Sequence, residues 1–246
     1  QSGFAGMDAP ILQDVLKIEN VHIANASSVY AIPIAHYVFS QILRWNKRID
    51  HHIEYQQSKN WAPIAGDGEL TNKTLVILGY GGIGSQVAKI GKAFGMRVTG
   101  IRRNPQDDEH ADEVLGLDRF EELLPLTDYL VLSLPDSSQT RDIINADILE
   151  KLNSSAMIIN VGRGTAINED DLTHALNDGK IAAAALDTTK VEPLDANSSL
   201  WRAKNCFISA HDSAHSLLSL ERAFELFFQN IKNIQNGQPI KNLYSE

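Results

Sequence analysis

The sequence predicts an α/β protein built on a doubly wound parallel sheet, and three observations carry that prediction. From residue 74 onward, strand-like apolar runs alternate with helical segments. The runs are continuous, as in Tyr129-Leu-Val-Leu-Ser-Leu134 and Ala156-Met-Ile-Ile-Asn-Val161, which is the texture of strands covered on both faces. The first run, Leu75-Val-Ile-Leu-Gly79, enters a glycine turn, Gly79-Tyr-Gly81-Gly82-Ile83-Gly84, that opens a helix.

Taken in order, Val21-His-Ile-Ala-Asn25 reads as a short strand, and Pro33 sits near the start of the helix that follows. Ile34, Val38, Ile42, Leu43, Trp45 and Ile49 recur on that helix at three-to-four spacing, so one face is apolar. Residues 51–69 are polar and aperiodic, with Pro63, Gly66 and Gly68, and read as an extended arm or linker. Six strands are then expected at 74–79, 97–101, 129–134, 156–161, 181–187 and 206–210, with helices at 82–94, 118–124, 146–152 and 168–178. Asn168 is placed to cap the last of these helices, acids fill its first turn, and Gly179 stops it. A final long helix over 215–236 carries Leu217, Leu220, Phe224, Phe227, Phe228 and Ile231.

Bulk properties narrow the function. The chain has 246 residues, 43% of them apolar, enough for one sizeable core and one or two domains. Its 31 acidic against 22 basic residues give a net charge of −9, with no basic run longer than Arg102-Arg103, so nucleic acid is not an expected partner. No apolar stretch approaches the roughly 20 residues of a membrane span, and no signal peptide is visible, so neither a membrane partner nor export is expected. Cys206 is the single cysteine, which rules out an intrachain disulfide and a cysteine-rich zinc site and fits a reducing cytoplasm. No metal is expected.

Gly79, Gly81 and Gly84 fit the dinucleotide spacing G-x-G-x-x-G. The first glycine permits the tight turn, the second lets the backbone approach a pyrophosphate, and the third lets helix pack on strand. Gly82 and Ile83 lie between them, where the N–H groups of the helix start face the phosphates. The next strand ends in Arg102-Arg103, where an NAD-type fold usually presents an acid to the ribose hydroxyls. A guanidinium there would pair with a 2′-phosphate, so NADP is favoured, with NAD as the second choice. The bland alternative is two solvated arginines.

Beyond the turn come three local patterns in fixed order: Asn160-Val161-Gly162-Arg163-Gly-Thr165, Leu186-Asp187-Thr-Thr-Lys-Val-Glu192-Pro193, and Ser209-Ala-His211. Each follows an expected strand. A cation, a carboxylate and an imidazole at successive strand ends suit hydride transfer to or from an anionic carbonyl compound. Alone, Arg163 reads as a surface arginine, Glu192 as a loop acid and His211 as one of eight histidines; their order gives the pattern its weight.

These residues resemble the D-isomer-specific 2-hydroxyacid dehydrogenases, a family that includes phosphoglycerate, glycerate, hydroxypyruvate/glyoxylate and D-lactate dehydrogenases. The likeness runs from Gln1-Ser-Gly-Phe-Ala-Gly-Met-Asp8 through the glycine turn to Gln238-Pro-Ile-Lys-Asn-Leu243. It implies a Rossmann sheet joined to part of a flavodoxin-like substrate domain, with boundaries at 1–32 (partial substrate domain), 33–212 (dinucleotide-binding domain) and 213–246 (a helix returning to the substrate domain). Family members carry a longer N-terminal portion, and Gln1 is no initiator, so the chain is expected to begin inside the substrate domain. By resemblance, Arg163 holds the substrate carboxylate and carbonyl, His211 exchanges the proton, and Glu192 orients the histidine. The backbone of Phe4, Ala5 and Gly6 meets the substrate carboxylate. Asp187 meets the nicotinamide carboxamide, while Leu134, Pro135, Thr140, Val161 and Gly162 line the cofactor groove. The resemblance implies D-stereochemistry, a small 2-keto or 2-hydroxy acid substrate and a homodimer, with 51–69 and the helix over Ile34–Ile49 as contact surfaces.

The chain departs from the family pattern in three places. Ser209-Ala210 stands where Thr-Pro or Ser-Pro is common before the histidine, His36 stands where an acid is frequent, and Thr188-Thr189 replaces the usual Val-Phe after the aspartate. None removes a group that the chemistry needs. His36, His51, His52, His174 and His215 are read as non-catalytic. Two rivals remain: a nucleotide-sensing protein like the corepressors built on this fold, and a truncated, catalytically weak fragment.

Overall fold

The computed structural model describes residues 1–3, 6, 10–64 and 68–244, with Pro10 described by its backbone alone. Among them, seven strands form one all-parallel sheet: β1 (Thr74–Leu78), β2 (Arg97–Ile101), β3 (Glu113–Leu115), β4 (Tyr129–Leu132), β5 (Met157–Asn160), β6 (Ala183–Leu186) and β7 (Cys206–Ile208), in the order β3-β2-β1-β4-β5-β6-β7. This is the doubly wound dinucleotide order, extended by one strand. Its winding reverses at β1, so the crevice where ligands bind in such sheets opens between the C-terminal ends of β1 and β4.

Helices cover both faces. Against one face, α2 (Ser27–Asn46) and α4 (Gly82–Ala93) enclose a core around Val38, Ile42, Leu75, Ile77, Val87 and Ile159. Against the other, α5 (Phe120–Leu123), α6 (Ala146–Lys151) and α7 (Glu169–Asn177) enclose one around Leu124, Leu130, Leu132, Ile144, Ile158 and Leu172. The central strands are buried at every position of β4, β5 and β6, which is why their sequences run apolar without alternation. Asn168 caps α7 as its spacing predicts, accepting from the Asp171 N–H at 3.2 Å.

The structure corrects the sequence reading at several elements. Among the described residues the sheet has seven strands rather than six, because β3 is a three-residue edge strand with an exposed Glu113 and too short to make an apolar run. The polar stretch read as an arm begins with a helix, α3 (Ile49–Gln57), which has no buried residue and so shows no apolar stripe; Arg44 from α2 grips its Asp50 with both carboxylate oxygens at 2.9 Å from Nε. Pro33 stands inside α2, six residues after its first, instead of near the start. Residues 21–25 make only a single antiparallel bridge, Ala24 to Leu243. Helix α1 (Pro10–Leu16) is absent from the sequence reading although Ile11, Leu12, Val15 and Leu16 stand at helical spacing, and the last helix, α8 (Ser219–Gln235), starts later than expected. Leu220, Phe224, Phe227 and Phe228 on α8 are exposed, although their spacing reads as a core-facing stripe.

Candidate active site

The glycine turn begins as β1 ends. Gly79 has φ +100°, a region in which a side chain is strained, and a Cβ there would meet the Ser133 and Leu134 backbone at 2.8–3.0 Å. The turn is pinned by Gly79 and Tyr80 N–H bonds to the Ile101 carbonyl (3.0 and 2.8 Å) and by the Ser133 hydroxyl donating to the Gly79 carbonyl at 2.7 Å. A Cβ at Gly84 would touch the Gly79 carbonyl and the Ile77 side chain at 3.0–3.1 Å, so helix and strand pack as the third glycine of the pattern requires. Gly81 and Gly82, by contrast, look into open space, with nothing within 4 Å of an added Cβ. Close packing behind the turn and an open cradle in front of the α4 N-terminus, Ile83 included, fit a dinucleotide pyrophosphate.

The other residues expected to line a cofactor groove follow β2, β4 and β5. Arg102 is half-buried at the end of β2, its N–H bonded to the Leu115 carbonyl, and Arg103 reaches Gln139 in the loop after β4 at 3.4 Å. Leu134 and Pro135 follow β4. Thr140 closes the turn after them, donating to the Pro135 carbonyl at 2.7 Å and accepting from the Ser137 N–H at 2.9 Å, so its hydroxyl builds the loop. Val161 and Gly162 continue from β5, and Gly162 lies flat against the Leu134 backbone.

Arg163, Glu192 and His211 follow β5, β6 and β7, three neighbours in the sheet whose parallel pairing brings all three loops to one edge. Asn160, fully buried, shapes the first loop: its side chain accepts from the Gly162 N–H and donates to the Arg163 carbonyl, each at 3.0 Å. Gly164 leaves no room for a Cβ, because the backbone of Thr189 and Lys190 occupies that space. The loop of Arg163 therefore rests directly on the loop of Glu192. Glu192 Oε1 accepts from the Thr189 N–H at 3.1 Å, and its Oε2 meets His211 Nδ1 at 2.8 Å.

His211 has φ +54°, and its N–H donates to the Asp187 carbonyl at 2.8 Å. Asp187 is 1% exposed. Its carboxylate accepts from the Ser209 hydroxyl at 2.7 Å and from the N–H groups of Asp212 and Ser213 at 3.0 and 3.2 Å, so it organises the turn that carries the histidine. Sequence reasoning missed the supporting residues Asn160, Thr189, Ser209 and Tyr37; the first three lie within or beside the quoted patterns, whereas Tyr37 lies on α2 and carries no local signal. Gly6 is half-buried, while Phe4 and Ala5 lie outside the described residues. Among the described residues no group of three or more His, Cys, Asp or Glu could hold a metal, and no helix is long and apolar enough to cross a membrane.

Comparison with known proteins shows the family. Residues 39–213 match the family described as D-isomer specific 2-hydroxyacid dehydrogenase, NAD binding domain. The chain is 33% identical over 233 residues to glyoxylate reductase of Aeropyrum pernix, an alignment covering 91% of this chain and 69% of that protein. It superimposes with TM-score 0.86 and 32% identity on a D-isomer specific 2-hydroxyacid dehydrogenase family protein of Aeromonas salmonicida, covering 100% of this chain and 77% of the other. It superimposes equally well, TM-score 0.86 at 25% identity and covering 99% and 77%, on an NADPH-dependent glyoxylate/hydroxypyruvate reductase of Sinorhizobium meliloti in complex with NADP and sulfate. The chain belongs to the D-isomer specific 2-hydroxyacid dehydrogenase family, whose members are nicotinamide-dependent oxidoreductases of 2-hydroxy acids.

Proposed function

We propose that this chain is an NADPH-preferring reductase of small 2-keto acids such as glyoxylate or hydroxypyruvate, giving the D-hydroxy acid where the product is chiral. The observation that carries the reading is the 2.8 Å contact between His211 Nδ1 and Glu192 Oε2 beside the Arg163 loop. With Nδ1 held by the carboxylate, Nε2 is the nitrogen left to face a substrate. Arg163 binds the substrate carboxylate and draws charge onto the carbonyl oxygen. His211 delivers the proton from Nε2 to that oxygen, or takes it back in the oxidative direction. Glu192 fixes the ring and stabilises the imidazolium. When bound, the nicotinamide supplies the hydride.

Gly79, Gly81, Gly82, Ile83 and Gly84 hold the pyrophosphate, while Leu134, Pro135, Thr140, Val161 and Gly162 line the groove. Arg102 and Arg103 take the 2′-phosphate, a choice supported by the bound NADP of the Sinorhizobium relative. Gly6 with Phe4 and Ala5 offers backbone N–H groups to the substrate, and Asp187 lies beside the carboxamide pocket. The dinucleotide domain spans 33–212, flanked by substrate-domain segments 1–32 and 213–246. The working unit is a cytoplasmic homodimer.

Fluorescence titration with NADPH and NADH, followed by turnover of glyoxylate, hydroxypyruvate and phenylpyruvate, tests the reading. Tighter NADPH binding with turnover is expected. Binding without turnover on any 2-keto acid would favour the nucleotide-sensing alternative.

A further inference from the structure

The imidazole of His211 rests on an unusual support. A non-glycine residue at φ +54° occupies a sparsely populated backbone region, and such a residue persists only where its surroundings over-determine it. The ring is held by Glu192 at a solvent-facing contact, the His211 and Glu192 side chains being 46% and 39% exposed. The backbone is another matter. Residues 209–213 wrap around Asp187: Ser209 N–H donates to the Leu186 carbonyl at 2.9 Å, His211 N–H to the Asp187 carbonyl at 2.8 Å, and Asp212 and Ser213 N–H to its carboxylate.

Within that turn the shortest bond to the buried carboxylate comes from a side chain, Ser209 Oγ to Asp187 Oδ1 at 2.7 Å. Ser209 Oγ also lies 2.6 Å from the hydroxyl of Tyr37, a residue 172 positions away on α2. The proton order follows from chemistry. A carboxylate only accepts, so Ser209 gives its single hydrogen to Asp187 and must accept from Tyr37. Burial, the largest influence, pushes the Tyr37 phenol up to about 12, so it stays protonated and able to donate throughout the neutral range.

We propose that Ser209 and Tyr37 are positioning residues for the histidine: a hydrogen-bond chain from Tyr37 through Ser209 to Asp187 locks the His211 turn and ties it to helix α2. For its kinetic consequences this rests on the reductase reading. The chain makes chemical sense of the Ser209-Ala210 sequence. The turn lacks a proline before the histidine, and its rigidity comes instead from a buried carboxylate saturated by a hydroxyl that is itself held in place. Removing the Ser209 hydroxyl strips Asp187 of its best donor at a site 1% exposed, where water is poorly placed to replace it.

The test is a set of variants, Ser209→Ala, Ser209→Thr, Tyr37→Phe and the double Tyr37→Phe/Ser209→Ala, read by kinetics, NADPH affinity and the ¹H–¹⁵N signal of the His211 Nδ1–H. For Ser209→Ala, kcat should fall roughly 10- to 100-fold with substrate KM and NADPH affinity within about twofold, since misplacement of the reacting group affects the chemical step. Ser209→Thr keeps the hydroxyl and should stay within about threefold of the parent. Tyr37→Phe should lose roughly 3- to 10-fold, and the double variant should be no worse than Ser209→Ala, because the tyrosine acts only through the serine. The His211 signal should be sharp in the parent and in Ser209→Thr, and exchange-broadened in Ser209→Ala. Parental kcat and an unchanged signal in Ser209→Ala would overturn the proposal, as would additive losses in the double variant or equal losses in Ser209→Thr and Ser209→Ala. Should the parent reduce no 2-keto acid, the reductase reading fails and the NMR signal alone decides the positioning role.

Discussion

His211 and Glu192 are separated by 19 residues in sequence and by 2.8 Å in space. In the proposed reaction that contact leaves Nε2 for the substrate, so the carboxylate would serve both as an acceptor and as a charge. Glu192→Gln retains an oxygen and loses the charge, and kcat should fall roughly 10-fold or more, the scale of one charge-assisted hydrogen bond, while NADPH affinity stays within about twofold. Equal kcat in that variant would reduce Glu192 to a loop residue. At the cofactor end, Arg102→Asp should invert the preference from NADPH towards NADH in paired fluorescence titrations, because an acid repels a 2′-phosphate and pairs with ribose hydroxyls; an unchanged ratio would mean the arginine is merely solvated. The residues proposed to react stand out in the sequence because each sits in a short local pattern after a strand. Their supports were legible only in part: Asn160 lies within its pattern, whereas the bond between Tyr37 and Ser209 spans 172 positions and leaves no trace in spacing or periodicity.

Turns decide the site at the scale of elements. Gly164 is where the Arg163 loop rests on the Thr189-Lys190 backbone, so Gly164→Ala must push the two loops apart. A displacement of that kind costs roughly 100-fold in turnover without removing any catalytic group, and kcat measured beside a circular dichroism spectrum of the folded variant checks it. Gly79→Ala meets both a positive φ and the Ser133-Leu134 backbone, and should destabilise the fold by about 1–3 kcal/mol, read as a Tm several degrees lower together with weakened NADPH binding. The strands and helices that bury a face were visible in sequence, since burial on both sides of β4, β5 and β6 imposes apolar runs. Helix α3 and strand β3 were not, because one buries nothing and the other has three residues. Periodicity reports burial, and it is silent where an element forms without it.

In the whole molecule, the sheet order does the assembling. Reversal of winding at β1 opens a crevice, the glycine turn lies at its floor, and β5, β6 and β7 deliver a cation, a carboxylate and an imidazole in sequence along the same edge. This is how three patterns dispersed over 49 positions, from Arg163 to His211, come to lie on one edge of the sheet. On the proposed reading, this edge reduces 2-keto acids with His211 as proton donor. The decisive experiment follows NADPH oxidation with hydroxypyruvate for the chain and for His211→Gln, with the chirality of the product determined. NADPH should be consumed one-for-one with D-glycerate formed, and the His211→Gln variant should be slower by roughly 100-fold or more with nearly unchanged NADPH affinity. Oxidation that does not depend on the keto acid, or a His211→Gln variant as fast as the parent, would contradict it.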